Sequence, residues 1–125
     1  MTFENLNLIP AILKALKDQN YIEPTSIQEK AIPLVLNHED VLGSAQTGTG
    51  KTAAFAIPII QHMEKDAHQN TGRRKVSALV VTPTRELAIQ IGESFTAYGK
   101  YTQINNTVIF GGVKQGSQVD AVRRG

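Results

Sequence analysis

The chain has 125 residues, 41% of them hydrophobic, which suffices for one domain with a core of its own. It contains no cysteine, which excludes disulfides and thiolate metal sites and favours a cytoplasmic protein. No apolar run approaches membrane-spanning length, and the first residues lack the pattern of a signal peptide, so we expect no membrane association. Residues 51–125 carry ten Lys/Arg against five Asp/Glu. This excess suits a polyanionic partner, although a solvated face of mixed charge gives the same count.

Apolar residues recur at helical spacing near the start of the chain and predict an amphipathic helix over residues 8–18. Ser26, followed three residues later by Glu29, is typical of a capping box and predicts a second helix over residues 27–36. Three apolar segments bounded by turn formers are predicted to be strands: residues 40–44, 76–81 and 106–110. They alternate with three more predicted helices: residues 51–65, 84–99 and 115–123.

Strands that alternate with helices indicate an α/β fold, a doubly wound parallel sheet with flanking helices. In such a sheet ligands bind at the carboxyl ends of the strands, so we expect the segments that follow the three strands to share one rim. The polar residues 66–75 are predicted to form a surface connection. At this length the α/β domain is expected to be incomplete.

The segment between the first predicted strand and its helix has the pattern of a P-loop, formed by Ala45, Gln46, Thr47, Gly48, Thr49, Gly50, Lys51 and Thr52. Gly48 and Gly50 can turn successive backbone N–H groups inward, and these amides bind phosphate oxygens with the positive end of the following helix. Lys51 is predicted to neutralise the β and γ phosphates, and the Thr52 hydroxyl to bind Mg²⁺. Ala45 replaces the first glycine of the common pattern, so its position must do without positive φ.

Three other clusters accompany the P-loop. One is Tyr21-Ile22-Glu23-Pro24-Thr25-Ser26-Ile27-Gln28 with Phe3 isolated upstream; the others are Pro83-Thr84-Arg85-Glu86-Leu87-Ala88 and Gly111-Gly112. With the P-loop, and in this order along the chain, they resemble the Q motif, motif I, motif Ia and the glycine doublet of DEAD-box RNA helicases. The resemblance covers nearly the whole chain. It implies that residues 1–125 are the N-terminal portion of a RecA-like helicase domain, with the Q motif in residues 3–28.

The resemblance assigns adenine recognition to the first cluster. The amide of Gln28 can accept from adenine N6 and donate to N7 at once, which guanine cannot reproduce. Phe3 is predicted to stack on the adenine face, although an ordinary core anchor is its simpler interpretation. Tyr21 belongs to the same predicted adenine site. Thr25 is predicted to brace the P-loop through hydrogen bonds, although a threonine after a proline is also a normal helix start.

The remaining clusters are predicted to bind a nucleic-acid backbone. Pro83, Thr84 and Arg85 lie where a helix begins, so that backbone amides and a guanidinium can hold a phosphate. Gly111 and Gly112 allow a strand to approach closely because they lack side chains. Taken singly, each cluster has a simpler interpretation, a helix cap or a tight turn. No aromatic residue lies within motif Ia, which favours contacts to the backbone over contacts to bases.

The resemblance implies an ATP-dependent RNA helicase that uses ATP and Mg²⁺, binds RNA and has a second RecA-like domain. The family's Asp-Glu-Ala-Asp motif has no counterpart here, so we expect no ATP turnover by this chain alone. An exposed sheet edge could pair with another chain to form a dimer. Two alternatives are another P-loop enzyme, such as a kinase, and a non-catalytic nucleotide- or RNA-binding module. Metal binding is not predicted for the evenly spaced acidic and histidine residues His62, Glu64, Asp66 and His68.

Overall fold

The computed structural model describes residues 1–69 and 72–125. Within these residues it contains a short 3₁₀ helix, Phe3–Leu6, and five α-helices: α1 (Pro10–Asp18), α2 (Ser26–Leu36), α3 (Lys51–Gln69), α4 (Arg85–Tyr98) and α5 (Gln115–Arg124). Each predicted helix is therefore present, and α3 is one turn longer than the apolar pattern indicated. The predicted surface connection over residues 66–75 includes Asn70 and Thr71, which lie outside the described residues. None of the described helices is long and apolar enough to cross a membrane.

The first residues of the helices follow local rules, with one difference from the prediction. Pro10 is the first residue of α1, where its missing N–H costs nothing. Helix α2 starts one residue before the predicted position, because Thr25 is its N-cap and Gln28 is the residue that reaches back. The Thr25 N–H donates to Gln28 Oε1 at 3.0 Å, so the capping box is formed by Thr25 and Gln28 and not by Ser26 and Glu29.

The core is built around α3, which packs against both α2 and α4. Ile57 and Ile60 on α3 are fully buried, and α1 contributes Ile12 and Leu16 to the same cluster. Helix α1 also packs on α4, and the 3₁₀ helix packs on α2. The small residues Ala53 and Ala56 on the first turns of α3 belong to the core, so the helix that follows the P-loop is anchored from its first turn.

Two buried polar side chains of α3 bind backbone groups of other segments. Gln61 Oε1 accepts from the N–H of Ile9 at 2.8 Å, and its Nε2 donates to the carbonyl of Asn7 at 2.9 Å. Three residues further along, Glu64 Oε2 accepts from the N–H of Gln103 at 3.0 Å. Because each buried polar atom has a partner, these side chains join the loop before α1 and the segment after α4 to one helix.

The predicted sheet is wrong. The described residues contain no β-strand and no sheet, and the segments at 40–44, 76–81 and 106–110 belong to no helix or strand. Most of their side chains are not buried, since Leu42 is 101%, Leu79 84% and Val81 85% exposed, although Val80 is partly buried against the core. An apolar run predicts a strand only if another segment pairs with it and covers both faces, and these three segments do neither for one another. The expected dimer through a sheet edge thereby loses its basis.

Candidate nucleotide-binding site and Arg85 group

The P-loop leads into the first turn of α3, as its pattern requires, but the strand that the pattern places before the loop is not present in the described residues. Gly48 and Gly50 have φ of 82° and 84°, the left-handed region that glycine enters without strain, whereas Ala45 does not take positive φ. Lys51 Nζ donates to the carbonyl of Ala45 at 2.5 Å, and Thr49 Oγ1 donates to the carbonyl of Gln46 at 2.6 Å. The loop is thus closed on itself, with the lysine ammonium folded over it.

Gln28 joins the α2 cap to the P-loop. Its side chain is only 3% exposed, and while Oε1 accepts from Thr25, Nε2 donates to the carbonyl of Gly50 at 3.1 Å. A Cβ at Gly50 would lie 2.3 Å from Nε2 and 3.3 Å from Thr25 Oγ1, so both side chains lie directly against the loop. Two segments 22 residues apart therefore form one structure through the amide of Gln28.

The predicted adenine-binding aromatic residues are in contact with each other but are unequally accessible. Phe3 is 3% exposed and belongs to the core, whereas Tyr21 is 40% exposed. Their rings are stacked, with centroids 6.4 Å apart and planes 19° apart. Behind Tyr21 lies Tyr98 of α4, with ring centroids 5.9 Å apart. In this structure Phe3 supports the Tyr21 ring from the core, and Tyr21 carries the accessible aromatic surface.

The predicted nucleic-acid-binding residues come together as a second group. Thr84 is the N-cap of α4, and its Oγ1 accepts from the N–H of Leu87 at 3.1 Å. Arg85 Nη2 donates to the carbonyl of Gly111 at 2.5 Å, while its Cζ lies 4.6 Å from the centroid of the Phe110 ring. Gly112 has a φ of 82°, and a Cβ there would lie 3.0 Å from the same guanidinium. Pro83, immediately before Thr84, is exposed. Arg85 thus ties the start of α4 to the glycine doublet.

In the part of the chain that the structure describes, the P-loop group and the Arg85 group do not contact each other through side-chain hydrogen bonds, as residues of one common rim would be expected to do. Across the described ranges, the hydrogen bonds of the P-loop side chains and of Gln28 stay within that group, and those of Arg85 stay with the glycine doublet. The prediction of a single rim rested on the sheet, which is not present. The described residues contain no group of three or more His, Cys, Asp or Glu side chains that could hold a metal ion. His68 instead contacts Glu64 at 3.0 Å within α3.

Sequence reasoning missed three side chains that hold the fold or these groups together: Gln61, Tyr98 and Phe110. Each occupies a position where its residue type has an ordinary structural interpretation. Gln61 is a polar residue on the apolar face of α3, which is the one signal that could have identified it, because a buried amide requires partners. Tyr98 continues the apolar face of α4 beyond Phe95, and nothing in that pattern indicates its contact with a loop 77 residues earlier.

A glycine-rich loop that opens a helix with Lys51 and Thr52 defines the class of P-loop proteins. A family model described as DEAD/DEAH box helicase matches residues 25–125. The chain belongs to the DEAD/DEAH box helicase family.

Several relatives are similar over most of the chain. ATP-dependent RNA helicase SrmB of Haemophilus influenzae is 47% identical over 111 residues, which cover 89% of this chain and 25% of the relative. ATP-dependent RNA helicase DeaD of Mycobacterium tuberculosis is 44% identical over 125 residues, covering 99% of this chain and 21% of the relative. The chain therefore spans about a quarter of the length of the curated relatives it matches.

Solved structures show the same similarity. A DEAD box protein from the hyperthermophile Methanococcus jannaschii matches with a TM-score of 0.84 and 37% identity, over 99% of this chain and 32% of that one. The RNA helicase Prp28 from Chaetomium thermophilum, bound to ADP, matches with a TM-score of 0.84 and 32% identity, over 98% of this chain and 30% of that one.

Proposed function

We propose that this chain supplies the adenine- and phosphate-binding part of an ATP-dependent RNA helicase. The observation that carries the proposal is the hydrogen bond from Gln28 Nε2 to the carbonyl of Gly50, because it joins a base-reading amide to a phosphate-binding loop. The printed names of the relatives, which are ATP-dependent RNA helicases, and the ADP bound to the similar Prp28 structure support the same function.

Gln28 retains the hydrogen-bonding capacity that adenine recognition needs. A side-chain amide has two N–H donors and two acceptor lone pairs, and the internal contacts to Gly50 and Thr25 use one of each. One donor for adenine N7 and one acceptor for the N6 amine therefore remain. Because Gln28 is only 3% exposed, the proposal requires that the cap or the P-loop shift when adenine binds. Because the same amide holds the loop, adenine binding and loop position are physically connected.

The base is proposed to stack on Tyr21, with Phe3 as the support behind that ring. Tyr21 has the accessible ring surface, and Phe3 is too deeply buried to offer a face of its own. An aromatic face on a base contributes about 1–3 kcal/mol in nucleic-acid complexes, and a similar contribution is expected here. This assignment reverses the order of the two residues expected from the resemblance.

The phosphates are proposed to lie over the P-loop at the start of α3. Lys51 is exposed, and the one carbonyl its ammonium contacts, that of Ala45, belongs to the loop itself. The ammonium can therefore give up this hydrogen bond and bind phosphate oxygens. The positive end of a 19-residue helix adds to the attraction. Thr52, half-buried on the first turn, would hold Mg²⁺ through its hydroxyl, and that ion would neutralise charge on the phosphates.

RNA is proposed to bind at Pro83, Thr84, Arg85, Gly111 and Gly112 through its phosphate backbone. Arg85 has five N–H donors and uses one of them to bind the carbonyl of Gly111. Its other donors and its positive charge remain available for a phosphate. The start of α4 offers backbone amides beside it. In a longer protein, a second RecA-like domain would complete both sites and couple ATP hydrolysis to unwinding of an RNA duplex.

Calorimetry with ADP and with GDP, each with Mg²⁺, tests the nucleotide site. We expect the wild-type chain to prefer ADP and Gln28→Ala to lose that preference. Gln28→Glu keeps the acceptor for Thr25 but lacks both amide donors, so it should also lose the preference. Gln90→Ala, an exposed glutamine on α4, is the control and should bind as the wild type does. Equal binding of ADP and GDP by the wild type would contradict the proposal and favour another P-loop enzyme.

Fluorescence anisotropy with single-stranded RNA tests the second site. Arg85→Ala should weaken binding and lower the slope of log affinity against log salt concentration by about one contact. Arg74→Ala is matched to it, because the Arg74 guanidinium also donates to a loop carbonyl, that of Gln103 at 2.7 Å, but lies outside the proposed site. An equal loss in both variants would show that net charge alone is responsible.

A further inference from the structure

Tyr21 lies in the loop between α1 and α2, where a side chain is expected to be mobile, yet its ring has neighbours from two other elements. Phe3 of the 3₁₀ helix stacks on it, and Tyr98 of α4 lies against it with ring centroids 5.9 Å apart and planes 48° apart. Asn20, just before it, takes the left-handed conformation with a φ of 58°, and the Tyr21 N–H donates to the carbonyl of Leu16 at 2.9 Å. The loop backbone is therefore tied to α1 and the ring to α4.

The two tyrosines are also joined through their hydroxyl groups. The Tyr98 hydroxyl donates to the Tyr21 hydroxyl at 3.3 Å. Tyr98 is 6% exposed, whereas Tyr21 is 40% exposed, so the bond links a core side chain to an accessible one. Burial, and then the bond to Tyr21, raise the pKa of Tyr98 above its usual range, so its hydroxyl stays protonated and available as a donor at neutral pH.

We propose that Tyr98 is a positioning residue for the nucleotide site, which holds the Tyr21 ring in the orientation that stacks on adenine and so sets the affinity for the base. The inference rests on the proposed function, since it requires adenine to bind at Tyr21. Tyr98 does not touch the nucleotide. Its effect comes from fixing a side chain before binding, because ordering a free side chain costs affinity and a ring that is already held avoids that cost.

Only the base part of the nucleotide should depend on Tyr98. Lys51 and the P-loop amides belong to a group whose side chains contact neither tyrosine through a hydrogen bond in the residues described. Pyrophosphate can occupy the loop without reaching the aromatic ring. A change that acts through Tyr21 therefore lowers the affinity for ADP and leaves the affinity for pyrophosphate unchanged, whereas a general loss of structure lowers both.

The test is calorimetry of Tyr98→Phe with ADP and with pyrophosphate, each with Mg²⁺. This variant keeps the buried ring and removes only the hydroxyl. We expect ADP to bind about two- to tenfold more weakly, from the cost of ordering one side chain, and pyrophosphate to bind as before. Tyr101→Phe is the matched control, because its hydroxyl donates to Asp18 and not to Tyr21. It should change neither affinity.

A double-mutant cycle supplies a second measurement. Tyr21→Phe removes the other hydroxyl of the pair, and either substitution breaks the same hydrogen bond. The double variant Tyr21→Phe/Tyr98→Phe should therefore bind ADP no more weakly than whichever single variant has the lower ADP affinity. Additive losses would overturn the inference, as would unchanged ADP affinity or an equal loss for pyrophosphate in Tyr98→Phe. If the wild type binds ADP with the adenine preference that depends on Gln28, these outcomes leave the proposed function intact. If the wild type binds no ADP, the proposed function fails and the inference fails with it.

Discussion

At the scale of single residues, Gln28 connects the most functional groups. Its buried amide closes the cap of α2, contacts Gly50 of the P-loop and retains one donor and one acceptor that these two bonds do not use. A glutamine that served only as a cap would not need to be against the loop, and one that served only adenine would be exposed. The side chain of Gln28 is therefore a fixed contact between the start of α2 and the P-loop.

Two P-loop glycines provide a matched pair of substitutions. Gly50→Ala places a Cβ 2.3 Å from Gln28 Nε2 at a φ of 84°, whereas Gly48→Ala meets nothing within 4 Å at a φ of 82°. Both variants strain the backbone by about 1–2 kcal/mol, and only Gly50→Ala also breaks the bond to Gln28, which adds about 1 kcal/mol. We expect urea unfolding to show the larger loss for Gly50→Ala. Equal losses would mean that Gln28 moves aside without cost.

The glycine pattern predicted the backbone conformation of the P-loop correctly at two residues. Positive φ at Gly48 and Gly50 follows from the phosphate-binding motif, and the structure has it. The bond from Gln28 to Gly50 could not be predicted, because it depends on where a side chain points across 22 residues of sequence. For the same reason the sequence could not rank Tyr21 above Phe3 as the accessible ring.

At the scale of elements, α3 organises the chain through both its apolar face and its polar side chains. Gln61 holds the loop before α1, and Glu64 holds the segment after α4. The ring of His62 on the same helix lies 4.2 Å from that of His38, which follows α2. Each neighbouring segment is thus fastened to one 19-residue helix.

Gln61→Leu tests the attachment of the N-terminal loop. The substitution keeps the volume on α3 and leaves the N–H of Ile9 and the carbonyl of Asn7 without their partner, so we expect a loss of about 1–3 kcal/mol in the free energy of unfolding. Gln90→Leu, on the exposed surface of α4, should change stability by less than about 0.5 kcal/mol. Chemical denaturation of both variants gives the comparison. A loss no larger than that of Gln90→Leu would show that water replaces the missing amide.

A second attachment joins the end of α1 to the turn after α4 and is sensitive to pH. A hydrogen bond from the Tyr101 hydroxyl, helped by Lys100 at 3.4 Å, lowers the pKa of Asp18 from its ordinary value of 3.8. Because the pKa is lowered in the folded state, the stabilisation is present above pH 3.8 and is lost as the pH falls through the lower folded-state value.

Thermal unfolding against pH can measure this effect. Tyr101→Phe should unfold at a lower temperature than the wild type at neutral pH, and the two should converge in acid once Asp18 is protonated in both. Lys100→Ala should behave in the same direction with a smaller difference, because its contribution to the pKa shift of Asp18 is smaller. A difference between wild type and Tyr101→Phe that stays constant into acid would show that the ring, and not the carboxylate, is what matters.

The helices could be predicted and the strands could not, for a physical reason. A helix forms its backbone hydrogen bonds within its own segment. The spacing of apolar residues and a cap at Thr84 therefore identify α4 to within one residue at each end. A strand depends on a partner elsewhere. Apolar residues such as Val80 and Val81 indicate only that burial would be favourable, and the described part of the chain provides no paired neighbour for them.

At the scale of the whole molecule, the apolar residues divide into two sets. One set, mostly on the helices, is buried around α3; the other, which includes Leu42, Leu79 and Val81 outside the helices, is exposed. Stability should therefore depend on the first set alone, although both sets are equally apolar in the sequence.

One substitution in each set tests this division. Ile57→Ala removes a fully buried side chain and should cost about 2–5 kcal/mol in the free energy of unfolding. Leu79→Ala, at a side chain that is 84% exposed, should cost less than about 0.5 kcal/mol. Equilibrium denaturation of the two variants decides the matter. A comparable loss for Leu79→Ala would mean that the segment at 76–81 is covered in solution.

Helix α4 begins at the residues proposed for RNA and ends at the residue that supports Tyr21. Its 14 residues, from Arg85 to Tyr98, make a rod about 21 Å long at 1.5 Å per residue. The helix is thus one continuous element between the two proposed sites, and any coupling between them has this path available. Thermodynamic reciprocity then requires that any change in ADP affinity caused by RNA be matched by an equal change in RNA affinity caused by ADP.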